Sequence, residues 1–153
     1  VSIPTCGNLW EECLMKKMLF VIMSLVALDV SAESSVSPAG LWETFDDNGH
    51  LESTVEVRVD DGSLFANIVM LHNSVEQNPV CDKCEGDLYG KPVIGMQVFD
   101  GLTLKKGIWQ KGTVFDPKTG DTYKGKVWLD GEMLLVRGYV GFLYKTKVWR
   151  RTL

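Results

Sequence analysis

Along most of the chain, hydrophobic and polar residues alternate with a period of two. Residues 53–60 show it most clearly, with Val55, Val57 and Val59 on one face and Thr54, Glu56 and Arg58 on the other. Successive side chains on extended backbone point to opposite sides, so alternation of β-branched with polar residues predicts a half-buried strand. Residues 64–72 repeat the pattern through Leu64, Ala66, Ile68 and Met70. Further strands are predicted over residues 41–45, 93–99, 108–115, 123–129, 133–140 and 142–150. Reversals are predicted at Asp46-Asp47-Asn48-Gly49, Asp61-Gly62, Asp100-Gly101, Asp116-Pro117-Lys118-Thr119-Gly120 and Asp130-Gly131, where Asn, Asp, Pro and Gly supply the backbone angles a turn needs. The long connection, residues 73–92, contains Pro79, Cys81, Cys84 and Pro92, and a connection of that length is expected to be functional or held by a local staple. About eight short strands joined by tight turns predict an all-β fold, a single small up-and-down antiparallel barrel in preference to a sandwich. About eight strands leave room inside for side chains and one small ligand.

The first part of the chain does not share this pattern. Met15-Lys16-Lys17 precedes an apolar run from Met18 to Leu28, and Val30-Ser31-Ala32 follows. A basic start, a short apolar stretch and a small-residue site describe a secretory signal peptide over residues 15–32, cleaved after Ala32. The apolar run is too short to span a bilayer, so no transmembrane span is expected after cleavage. Residues 1–14 then read as an over-extended gene start, residues 33–39 as a flexible leader, and residues 40–153 as the barrel domain. The expected location is periplasmic or secreted.

Composition narrows the function classes. The 153 residues carry a net charge of −4, with basic residues scattered along the chain, which argues against a nucleic-acid surface. No nucleophile elbow, zinc-protease signature or phosphate-binding glycine loop occurs. His50 and His72 are the two histidines, one in a turn and one at a strand end. Paired carboxylates such as Asp46-Asp47 fall in turns, where they bend backbone. Neither an enzyme, a cofactor nor a metal is expected.

Gly40-Leu41-Trp42 opens the first predicted strand and Trp149-Arg150-Arg151 ends the last. Where a barrel closes, these two strands meet. The Trp42 indole would then cover apolar surface at the floor, with the Arg151 guanidinium stacked on its face. With these motifs stand Val80-Cys81-Asp82-Lys83-Cys84-Glu85-Gly86, Pro92 with Gly95, Trp109, Gly112, Asp116-Pro117, Gly120, Tyr123 and Val136-Arg137-Gly138-Tyr139-Val140-Gly141. In this order and spacing the chain resembles the exported bacterial family catalogued as domain of unknown function 2147, from Gly40 to Arg151. It departs at Tyr144-Lys145, where the family pattern has Gly-Arg. The family is similar in outline to lipocalins and other calycins, which also pair an early Gly-x-Trp with a late Arg. The resemblance implies a calycin-like barrel in the cell envelope and no established activity.

Cys81 and Cys84 can pair in an oxidising compartment, and a disulfide there would pin the long connection. A redox centre and a zinc half-site are the alternatives. The first wants a helix N-terminus, and the second lacks a further cysteine pair. Arg137 and Tyr139 form the candidate ligand-binding pair. They share one face of a strand on which both faces carry apolar residues. Pointing inward, they would resemble the carboxylate clamp of intracellular fatty-acid-binding barrels and suit a fatty-acid-like ligand. Pointing outward, Arg137 would be a surface charge. The leading expectation is an exported binding protein for a small apolar or amphipathic ligand. A side-chain-filled barrel acting as an envelope interaction protein is the second, and a thiol oxidoreductase using Cys81 and Cys84 the third.

Overall fold

The predicted alternation becomes eight strands, each paired antiparallel with its neighbour in sequence. The computed structural model describes residues 36–72 and 74–153. The strands are β1 (Gly40–Phe45), β2 (Leu51–Asp60), β3 (Ser63–Leu71), β4 (Gln97–Lys105), β5 (Ile108–Asp116), β6 (Asp121–Asp130), β7 (Met133–Val140) and β8 (Leu143–Arg151). They close into one barrel in the order β1 to β8. The expected signal peptide and gene-start residues lie outside the described region.

Closure rests on a short ladder in which Trp42 pairs with Arg151 and Glu43 with Arg150. Inside the barrel, one face of each strand builds the core. Trp42, Val55, Val57, Leu64, Ala66, Phe99, Leu102, Val127 and Leu134 are all almost wholly buried. Trp149 stacks on Phe99 with ring centroids 4.9 Å apart and planes 6° from parallel, an offset aromatic pair at the base of the interior.

One predicted reversal is wrong. Asp100-Gly101 does not end a strand, because β4 continues to Lys105 and the chain turns at Lys106-Gly107. Gly101 adopts a φ of 64°, and the β3–β4 register slips between Leu64 and Ala66. The Asp-Gly pair is therefore a bulge within a strand, which bends the sheet without reversing it. Across from it, a Cβ on Gly112 would lie 2.3 Å from the Asp100 carbonyl oxygen, so only glycine lets β5 come this close.

Candidate functional site

Alternate turns of an up-and-down barrel lie at the same end. The β2–β3, β4–β5 and β6–β7 turns share an end with residues 36–39 and the chain terminus. The β1–β2, β5–β6 and β7–β8 turns and the long β3–β4 connection form the other end.

The first end is sealed. Trp42 is completely buried, its Nε1 donates to the Pro38 carbonyl at 2.8 Å, and the Arg151 guanidinium carbon stands 4.4 Å from its ring centroid. Arg151 also donates from Nη1 to the Ala39 carbonyl (3.0 Å) and from Nη2 to the Ser37 carbonyl (2.9 Å). Gly40 has a φ of 134°, and a Cβ there would sit 2.7 Å from Arg151 Nη1. A residue with a side chain would displace the arginine that plugs this end.

The other end opens into a cavity of about 750 Å³. That volume lies inside the range of small-molecule sites, about 300–1,000 Å³. Val55, Ile68, Val98, Val114, Val136 and Trp149 form its apolar walls and floor. Thr44 and Ser53 add a hydroxyl pair, bonded to each other at 2.7 Å. Gly138 contributes no side chain and so leaves space beside Tyr123.

Charged side chains ring the opening. Lys145 on β8 donates to both Asp47 carboxylate oxygens at 2.8 Å, and this bond with the nearby lysine charges holds the Asp47 carboxyl below its ordinary range. Lys118, from the β5–β6 turn, pairs with Glu52 of β2. These segments are not neighbours in the barrel, so the pair reaches across the mouth. The hydrogen bond to Glu52 raises the Lys118 ammonium above its usual value. Asp46 accepts backbone N–H bonds from Asn48 (2.8 Å) and His50 (2.9 Å), and the bond from His50 is the main reason its carboxyl is lowered.

Cys81 and Cys84 are joined by a disulfide, with the Cys81 residue 1% and the Cys84 residue 4% exposed. With Met96 they form a small separate core against Val93 and Phe115. Backbone bonds Cys81 N–H to Lys91 O, Gly90 N–H to Cys81 O and Val93 N–H to Pro79 O fold the connection onto itself. Among the described residues no group of three or more His, Cys, Asp or Glu is placed to hold a metal ion.

The candidate carboxylate clamp does not form inside the barrel, and the outward alternative holds. Val136, Gly138 and Val140 are the β7 residues that line the cavity, so Arg137 and Tyr139 face outward. Arg137 donates from Nε to Thr146 Oγ1 at 2.8 Å and lies over the rings of Trp128 (5.0 Å) and Tyr144 (4.2 Å). Its charge is satisfied by a hydroxyl and two π faces on the outer surface. The Tyr139 ring packs against Tyr144 and lies 5.5 Å from the Lys126 ammonium. The cations that do line the cavity are Lys118, Lys145 and Lys147; of these Lys147, unremarked in the sequence, is half-buried and paired across the ladder with Val136.

The model of a family of uncharacterised proteins conserved in bacteria, DUF2147, matches residues 40–151. The chain belongs to that family. The match covers the whole barrel, from the closing glycine to the closing arginine. No curated protein matches it. Among solved structures it is similar to protein HP1028 from Helicobacter pylori, described as belonging to the lipocalin family. The TM-score is 0.67 at 18% sequence identity, covering 78% of this chain and 85% of that one. The DUF2147 barrel thus has a lipocalin-like fold.

Proposed function

We propose that this DUF2147 protein is an exported cell-envelope binding protein that holds a small apolar or amphipathic molecule inside its barrel. The observation that carries this reading is the cavity of about 750 Å³, walled by aliphatic side chains, closed at one end by Trp42 and Arg151 and open at the other. Removing an apolar molecule from water into such walls is favourable in proportion to the area buried. A side-chain-filled interaction barrel would leave no such space. A thiol oxidoreductase needs an accessible sulfur, and both sulfurs here belong to buried residues. The signal-like pattern over residues 15–32 and the disulfide both favour an oxidising compartment outside the cytoplasm.

Titration with the neutral fluorophore N-phenyl-1-naphthylamine tests the site. Wild type is expected to bind it, and Val136→Trp, which places an indole in the cavity, to bind at least about tenfold more weakly with its strand content intact by circular dichroism. Equal affinity in both would remove the cavity as the binding site. Export is checked by the intact mass of protein secreted from its own host, expected to begin at Glu33.

A further inference from the structure

Three lysines line the cavity, Lys118, Lys145 and Lys147. Two are committed, Lys118 to Glu52 and Lys145 to Asp47. Lys147 has no hydrogen-bond or ion-pair partner among the described residues, although it is half-buried. Its direction is fixed by the strand. Trp149, two residues on, is buried in the core, and side chains two apart on a strand share a face. The neighbouring acids are engaged elsewhere. Asp47 is bonded to Lys145, Asp46 to the amides of its own turn, and Asp116 to the backbone N–H of Lys118. Lys147 acts on Asp47 only through space, as a secondary charge. An ammonium has three donors and is costly to leave unpaired as water is displaced around it.

Resting on the carrier reading above, we propose that the molecule held in the barrel carries an anionic head and that Lys147 receives it. The apolar tail lies against Val55, Ile68, Val98 and Val136, and the head stops at Lys147, above the Trp149 floor. An ammonium is a point charge with rotatable donors, so it accepts a carboxylate or a phosphate ester alike. A neutral amphiphile would strip water from Lys147 with nothing to replace it. A cationic one would meet the same charge.

Displacement of N-phenyl-1-naphthylamine by dodecanoate, dodecyl phosphate, dodecanol and dodecyltrimethylammonium tests this. In wild type, dodecanoate is expected to displace the probe at about tenfold lower concentration than dodecanol, the discrimination of one charge-assisted hydrogen bond. The cation is expected to be the weakest. The relative strength of dodecanoate and dodecyl phosphate tells which anionic head is preferred. Lys147→Met should bring dodecanoate to the level of dodecanol while still binding the neutral probe, and Lys147→Arg should retain the preference. Arg137→Met, on the outer face, should behave as wild type. Probe binding with no preference for anions in wild type, or the same preference in Lys147→Met, overturns the assignment and leaves the carrier reading standing. Failure of wild type to bind the probe overturns both.

Discussion

The sealed end of the barrel makes the sharpest energetic prediction. Trp42→Ala removes a completely buried indole and orphans the Pro38 carbonyl it serves. Large-to-small changes of this kind cost about 3–5 kcal/mol, transfer and cavity terms together. Arg151→Ala removes the 4.4 Å contact with the ring and two bonds to carbonyls, of which the one to Ser37 is exposed. With that bond discounted, the loss is about 2 kcal/mol, that of one charge-assisted hydrogen bond. The part shared between the residues is the stacking of cation on ring, about 1 kcal/mol at a half-exposed site. A double-mutant cycle by urea denaturation, followed by circular dichroism, measures it directly. The double variant should be more stable than the sum of single losses predicts by about that amount. Arg151→Lys should behave more like Arg151→Ala than like wild type, because an ammonium lacks the planar guanidinium that lies flat on the ring while its two nitrogens reach separate carbonyls. Additive losses, agreeing within about 0.3 kcal/mol, would refute the closing contact and the asymmetry built on it.

Gly40→Ala should destabilise by about 1–3 kcal/mol, since it combines a φ of 134° with a Cβ 2.7 Å from Arg151; denaturant midpoints check this, and a neutral result would mean the arginine is mobile. Folded protein should resist thiol labelling without reductant and fail to turn over insulin, because both cysteines are bonded and buried. The Cys81→Ser/Cys84→Ser variant should lose at most about 2 kcal/mol, as the closed loop is short, and limited proteolysis should detect the loss within residues 79–93. The Asp46 carboxyl is lowered from 3.8, first by the backbone bond from His50. Its contribution to stability is therefore present above that value and lost as pH falls through the lower folded value. The His50 and Asn48 amide shifts should report a midpoint below 3.8, and an unshifted midpoint would mean the turn bonds are not formed.

Strand content was legible because period-two patterning is a property of burial on one face. Residues 53–60 alternate cleanly for that reason, and β2 extends two residues earlier than the pattern because Leu51 and Glu52 sit at the wetter rim. The β4 boundary was not legible. Asp-Gly satisfies a tight turn and a glycine bulge equally well, since both need the same positive φ. Only the pairing of Phe99 with Val114 and of Thr103 with Gln110 decides between them, and pairing is a long-range property. The closing contact was legible because it joins two strand ends that any closed antiparallel barrel of this connectivity must bring together.

The inner face of β7 was illegible from its own residues. Leu134, Val136 and Val140 offer no more apolar bulk than Leu135 and Tyr139, and Gly138 gives the inner face a gap where a pattern would look for a side chain. The information lay one strand further on. A tight turn fixes hairpin register, so Val136 must oppose Lys147, and Leu134 must oppose Trp149. Once Trp149 is taken as the floor, parity sends Lys147 inward and Arg137 outward, onto Thr146 and the rings of Trp128 and Tyr144. The two cations differ in what their surroundings supply. Arg137 finds a hydroxyl and two aromatic faces and makes no demand on a ligand. Lys147 faces aliphatic walls beside carboxylates already bonded elsewhere, and on the proposed reading the head of the bound molecule is its partner.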